Sequence, residues 1–188
     1  MTLEDIRSID SQNMWQFLSS FPQQWKEAVE GTMNIELGID NERISNICFA
    51  GMGGSAIGAD LIRSFCYDSS PYPIQVVRHY EIPSWVDENT LFVACSFSGN
   101  TEETLTALTM AREKGAQTIA VTTGGELMVK AAKEEFDYIK ISGGMPPRAA
   151  LGYSFVPLYR IFQHLGIVDE RDGALRDTAR FLTEQNDL

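Results

Sequence analysis

The stretch Cys48–Leu61, "CFAGMGGSAIGADL", passes from an apolar strand-like run through glycines and a serine into a helix-like run. Glycines at a strand-to-helix junction can take positive φ and carry no Cβ, so backbone N–H groups can close on an oxyanion. The helix behind such a loop adds roughly half a positive charge at its N-terminus. A tight turn that binds nothing accounts for the glycines equally well. The stretch therefore defines a β–loop–α unit and leaves the occupant of its loop open.

Working outward, the same unit recurs. Strand-like runs stand at "NICFA" (46–50), "PIQVV" (73–77), "TLFVACS" (90–96), "QTIAVTT" (117–123) and "FDYIKIS" (136–142). Helical patterns follow most of them, at about 55–66, 101–114, 126–134 and 148–165, with a last one near 172–185. The strands are near-continuous apolar runs, as expected when helices cover both faces of a sheet. The pattern predicts an α/β fold: a three-layer α/β/α sandwich around a five-stranded parallel sheet. Ligands of such sheets bind outside the carboxyl ends of the strands, where the strand order reverses. Residues 1–45 read as a helical extension. Met14, Leu18, Phe21, Trp25 and Val29 fall at helical intervals, and Pro22 marks a break or a new helix start.

The second loop of interest is "SFSGNTEET", Ser96–Thr104. Ser96, Ser98 and Thr101 place three hydroxyls around Gly99 just before a helix. Asn100 is expected to cap that helix, with Glu103 in a capping-box position. Capping needs one oxygen, so the serines are left over and point to a phosphate cradle of neutral donors, together with Gly53, Gly54 and Ser55 of the first loop. The third site follows the last strand: "SGGMPPRAALGYSF", Ser142–Phe155. Pro146 and Pro147 stiffen a helix entry and Arg148 stands at its start, against the helix dipole. A ligand's negative charge or a nearby carboxylate would each explain it.

Composition narrows the partners. The 188 residues carry a net charge of −11, which argues against nucleic acid and anionic membrane as partners. No apolar run approaches the roughly 20 residues of a membrane span, and the polar, acidic start does not read as a secretory signal. The 44% hydrophobic content and 22% charged residues are those of a soluble globular chain, one domain by length. Cys48, Cys66 and Cys95 lack metal-ligand spacing and read as reduced core thiols of a cytoplasmic protein. A dinucleotide remains conceivable, because Gly51–Ala56 fits the loose GxGxxG/A pattern. Arg78 stands where the acid that holds the ribose would be and would suit the phosphorylated nicotinamide cofactor, but that reading leaves the serines without a role. No GxxxxGK[ST] motif is present.

Taken together, "GMGGSAIGADL", "SFSGNTEETL" and "PPRAALGYSF" closely resemble the bifunctional phosphoglucose/phosphomannose isomerases of the sugar isomerase (SIS) domain superfamily. The resemblance runs from about Ile44 to Phe162. It implies a flavodoxin-like sandwich and reversible aldose–ketose isomerisation of hexose 6-phosphates without metal or cofactor. By the same resemblance Ser55 helps hold the substrate, Ser96, Ser98 and Thr101 grip the phosphate, and Arg148 stabilises the enediolate. A non-catalytic sugar-phosphate sensor is the alternative.

Members of that family carry two such domains, with the glutamate base and the ring-opening histidine in the second. Three segments are therefore expected: 1–45, a SIS domain over 46–170, and 171–188 leading towards a second domain, with homodimerisation also expected. The nearest acids to the loops are Glu81, Glu102 and Glu103, none of which matches the family's base. His79 reads as a structural loop histidine, and His164 as a charge partner for a helix C-terminus.

Overall fold

The computed structural model describes residues 3–169 and 172–185; the ends of the predicted terminal segments, residues 1–2 and 186–188, lie outside the described residues, as do 170–171. The five expected strands form: β1 (Asn46–Gly51), β2 (Ile74–Val77), β3 (Thr90–Ser96), β4 (Gln117–Thr122) and β5 (Asp137–Lys140). All four pairings are parallel, in the order β2-β1-β3-β4-β5. β1 and β3 run in register from Asn46 opposite Thr90 to Gly51 opposite Cys95, so their carboxyl ends finish side by side. The strand order reverses at this pair, which is where ligands of a flavodoxin-like sheet bind.

Helices cover both faces. α1 (Leu3–Ile9), α2 (Met14–Ser19) and α3 (Phe21–Gly31) precede the sheet, and α4 (Gly54–Phe65) follows β1. α5 (Glu102–Glu113) follows β3, α6 (Gly125–Lys133) follows β4, and α7 (Leu151–His164) and α8 (Asp172–Gln185) close the chain. One core joins α3, α4 and α7 to one side of the sheet through Trp25, Val29, Ile62, Phe49, Val156 and Phe162. The other joins α5 and α6 to the opposite side through Phe92, Ala107, Leu108 and Leu127. β3 is buried along its whole length, as its apolar run requires.

The N-terminal segment enters the first core directly. Trp25 stacks on Phe155 at 5.7 Å between ring centroids and donates its Nε1–H to the Leu175 carbonyl of α8 at 3.0 Å. Phe49 of β1 stacks on Phe162 of α7 at 6.1 Å, a contact worth about 0.5–1.5 kcal/mol beyond its buried area. The helical spacing of Met14 to Val29 is resolved by Pro22 into two helices: Pro22 sits in the first turn of α3. Trp25 and Val29 are buried, but Leu18, on the shorter α2, is 53% exposed. A six-residue helix has too little surface to bury every residue of the expected stripe.

Candidate functional site

The loops singled out in the sequence meet at the carboxyl ends of β1 and β3. Gly53, at φ 49°, turns the chain into α4. Gly54 opens that helix. A Cβ built on it would lie 2.8 Å from the carbonyl carbon and oxygen of Pro147, so the absence of a side chain lets the proline-arginine segment lie across the helix start. Ser55 ties the first two loops together: its Oγ accepts the Phe97 N–H at 3.0 Å and leaves its own proton free to donate.

Ser96 ends β3 and is completely buried. Its Oγ accepts the Gly99 N–H at 3.1 Å and shares a 2.8 Å hydrogen bond with Thr101 Oγ1. Ser98 is exposed, and its Oγ accepts the Asn100 N–H at 3.2 Å. Thr101 is the N-cap residue of α5, yet its side chain makes no cap bond. The first backbone bond onto that helix runs from the Leu105 N–H to the Thr101 carbonyl at 3.0 Å. The amides of Glu102, Glu103 and Thr104 therefore have no acceptor among the described residues, and the Thr104 hydroxyl is buried without a partner. An uncapped helix start ringed by hydroxyls has the donor set that a phosphate monoester needs.

Asn100 does not cap α5 as expected. Its Oδ1 accepts the Glu126 N–H of α6 at 2.9 Å, while the Gly99 carbonyl accepts the Leu127 N–H at 2.8 Å. Loop two thus satisfies the start of the neighbouring helix and leaves its own helix open. The cause is local packing: Gly99 sits so close to Gly124 that a Cβ would lie 1.8 Å from the Gly124 carbonyl oxygen. Sequence spacing cannot reveal this cross-loop bond, because the partners lie 26 residues apart.

Arg148 stands ahead of α7 in a separate 3-10 turn, Pro147–Ala149, not in the helix predicted to begin there. Its Nη2 donates to Gln12 Oε1 at 3.3 Å, so the N-terminal segment reaches the site. The Pro147 backbone, Gly54, Ser55, Ser96, Phe97 and Ser154 line a crevice of about 10 Å3, room for one water. No carboxylate lines it. Glu102 instead faces Tyr80, whose phenol lies 3.5 Å away and is pushed up by desolvation and then by the charges of Glu102 and Glu103. Glu81 and His79 stay in an exposed loop where His79 Nδ1 lies 3.1 Å from the Glu81 carbonyl. Arg78 is paired with Asp60 of α4. His164 is exposed at the end of α7, as expected of a helix-terminal histidine.

One cluster gave no signal in the sequence. Tyr153 of α7 donates its phenol proton to the Glu27 carboxylate of α3. Burial, then that bond, pushes the Tyr153 phenol up to about 12, and the same bond is the main cause holding Glu27 below its ordinary value. The partners are 126 residues apart, so only the folded chain brings them together.

The fold and the loops at its switch point define a flavodoxin-like α/β domain with an uncapped, hydroxyl-ringed helix start at the carboxyl ends of β1 and β3. The SIS-domain family matches residues 42–140, and the chain belongs to that family. It is 44% identical over 171 residues to a bifunctional phosphoglucose/phosphomannose isomerase from Caldicellulosiruptor bescii, covering 91% of this chain and 50% of the relative. A relative of the same name from Thermoplasma acidophilum is 44% identical over 147 residues, covering 77% and 45%. A D-glucosamine-6-phosphate 4-epimerase from Sulfolobus acidocaldarius is 30% identical over 146 residues, covering 77% and 45%.

By sequence the chain thus groups with an isomerase family, and it spans about half the length of these curated relatives. Among solved structures, the C-terminal domain of glucosamine-fructose-6-phosphate aminotransferase from Francisella tularensis shares the fold with a TM-score of 0.68. That match has 14% identity and covers 95% of this chain and 55% of that one. Tagatose-6-phosphate ketose/aldose isomerase from Escherichia coli matches with a TM-score of 0.59 at 12% identity, covering 91% and 53%. At these identities the structures speak for the fold. Among the described residues, no helix is long and apolar enough to cross a membrane.

Proposed function

We propose that this chain binds hexose 6-phosphates and works in the aldose–ketose isomerisation that links glucose 6-phosphate and mannose 6-phosphate to fructose 6-phosphate. The observation that carries the reading is the uncapped start of α5 beside the hydroxyls of Ser55, Ser96, Ser98 and Thr101. In this reading the free amides and the hydroxyls take the phosphate, with Gly53 and Gly54 letting the first loop approach it. Arg148 meets the charge of the enediolate. The reaction moves a proton between C2 and C1 with no net oxidation, and the family resemblance implies that it runs without metal or cofactor. A fixed cation beside the developing oxyanion lowers the barrier because it needs no reorganisation as charge appears.

The base that takes the proton must stand within hydrogen-bond reach of the carbon acid, and the crevice carries no carboxylate. We therefore read the working protein as a homodimer or as part of a longer assembly, in which a second SIS unit supplies the base. The same absence favours one other reading, a sugar-phosphate-binding module without catalysis. The expected surroundings are the reducing cytoplasm, which suits the three free, buried cysteines.

The test is incubation of the 188-residue chain with fructose 6-phosphate in heavy water, followed by proton NMR. Aldose 6-phosphate carrying deuterium at C2 supports the isomerase. Broadened substrate resonances without product or exchange support the binding module. Unchanged resonances overturn both.

A further inference from the structure

Arg148 has a fixed backbone and a single tie on its side chain. A Cβ on Gly54 would lie 3.0 Å from the Arg148 nitrogen, and the Ala149 N–H closes the 3-10 turn onto the Pro146 carbonyl at 2.9 Å. The side chain itself is exposed, and its Nη2 donates to Gln12 Oε1 at 3.3 Å. Among the described residues it makes no other hydrogen bond and no ion pair. Of the two sources of negative charge that the sequence left open for this cation, the carboxylate partner is therefore absent among those residues.

One acid stands close enough in sequence to have taken that place. Asp10 precedes Gln12 by two residues, but its carboxylate is occupied. Its Oδ1 accepts the Met14 N–H at 2.8 Å and its Oδ2 the Trp15 N–H at 2.7 Å, which ties the turn to the start of α2. Asn13, at a left-handed φ of 53°, completes that turn. With Asp10 so engaged, the turn presents a neutral amide to the guanidinium. A guanidinium only donates, so the amide meets it through its oxygen.

We propose that Gln12 is a positioning residue, which holds the Arg148 guanidinium in place without cancelling its charge. The proposal rests on the isomerase reading, in which Arg148 meets the enediolate. A carboxylate at position 12 would order the side chain as well, but it would compete with the ligand for the charge. An untied arginine would keep its charge and would have to be ordered each time the ligand binds, at a cost in affinity. A neutral acceptor avoids both losses, and that is the preorganisation a developing oxyanion calls for. The contact spans 136 residues and makes the N-terminal segment a working part of the site.

The test titrates two probes into the 188-residue chain by calorimetry. Fructose 6-phosphate reads the phosphate loops, and 5-phospho-D-arabinonate adds a planar carboxylate that stands in for the enediolate oxygens. The wild type is expected to bind the arabinonate more tightly. Gln12→Ala, at an exposed position, should weaken the arabinonate by about three- to tenfold, the worth of ordering one long side chain, and leave fructose 6-phosphate unchanged. Gln12→Glu should keep the tie and the thermal midpoint, yet weaken the arabinonate at least as much. In an Arg148→Ala background, Gln12→Ala should have no further effect. A role confined to anchoring the N-terminal segment would spare the arabinonate in Gln12→Glu.

The proposal is overturned by an arabinonate affinity indifferent to Gln12→Ala, by equal losses for both probes, by a loss that persists without Arg148, or by Gln12→Glu binding as the wild type does. Wild type that binds neither probe overturns the isomerase reading and this proposal with it. Fructose 6-phosphate bound by wild type, with the arabinonate indifferent to Arg148→Ala, overturns the role of Arg148 and leaves Gln12 nothing to position.

Discussion

The Asn100 side chain accepts the Glu126 N–H at 2.9 Å, so the loop after β3 caps the helix after β4. The arrangement divides labour between two helix starts. The Glu126 and Leu127 N–H groups at the start of α6 are satisfied by protein, and those of Glu102 to Thr104 at the start of α5 have no acceptor among the described residues.

Asn100→Ala should cost about 1 kcal/mol of stability, the ordinary worth of a lost cap. It should also weaken sugar-phosphate binding, because the loop that carries Ser98 loses its anchor. Urea unfolding and a fructose 6-phosphate titration check the two effects. A variant as stable as wild type would show that the bond contributes nothing.

Gly54→Ala brings a Cβ to 2.8 Å from the Pro147 backbone. Neither side can yield cheaply, so the variant should lose about 1–3 kcal/mol and displace the turn that bears Arg148. Under the isomerase reading its turnover should fall by more than its stability explains. Gly31→Ala is the control, since nothing lies within 4 Å of its Cβ. In the last turn of α3 it should be neutral or stabilising by up to about 1 kcal/mol.

Ser96 and Ser98 should separate folding from binding. Ser96 is buried and its Oγ bonds Thr101 Oγ1 and shares the Gly99 N–H with the Ser96 carbonyl, which the change leaves in place, so Ser96→Ala should cost about 1 kcal/mol of stability. Ser98 is exposed, and Ser98→Ala should leave the unfolding midpoint nearly unchanged. It should nonetheless weaken phosphate binding roughly tenfold, the worth of one hydrogen bond to a charged acceptor. Equal effects of the two changes on stability would refute this division.

The legible parts of this chain were those governed by local rules. Five apolar runs alternating with helical patterns specify a parallel sheet, and the strand-to-helix glycines mark the loops at its switch point. Helix starts proved less legible. Arg148 was expected at the head of α7, but Pro146 and Pro147 set up a separate 3-10 turn before it. Asn100 was expected to cap its own helix because a capping box is a local pattern, and the close approach of Gly99 to Gly124 redirects it. The Gln12 contact to Arg148 and the Glu27 contact to Tyr153 join segments more than 120 residues apart, which no periodicity records.

The Glu27–Tyr153 bond gives stability a predicted pH dependence on both sides of neutrality. Folding raises the Tyr153 phenol from its ordinary 10.0 to about 12. Its contribution is therefore complete below the unfolded value and fades as pH rises through the folded one. Folding lowers the Glu27 carboxyl from 4.5, first through the Tyr153 bond and then through Gln23. That contribution is complete above 4.5 and fades as pH falls through the lowered value. At neutral pH the phenol is protonated and the carboxylate charged, so the bond is whole. Tyr153→Phe should then cost about 1–2 kcal/mol, and the difference from wild type should shrink at both extremes. Urea unfolding of wild type, Tyr153→Phe and Glu27→Gln from about pH 4 to about pH 11 reads this directly. The double variant should be no worse than the poorer single one, because both remove the same bond. A constant gap between wild type and Tyr153→Phe across that range would mean that the hydroxyl contributes through another contact, such as Ser142, and not by its bond to Glu27.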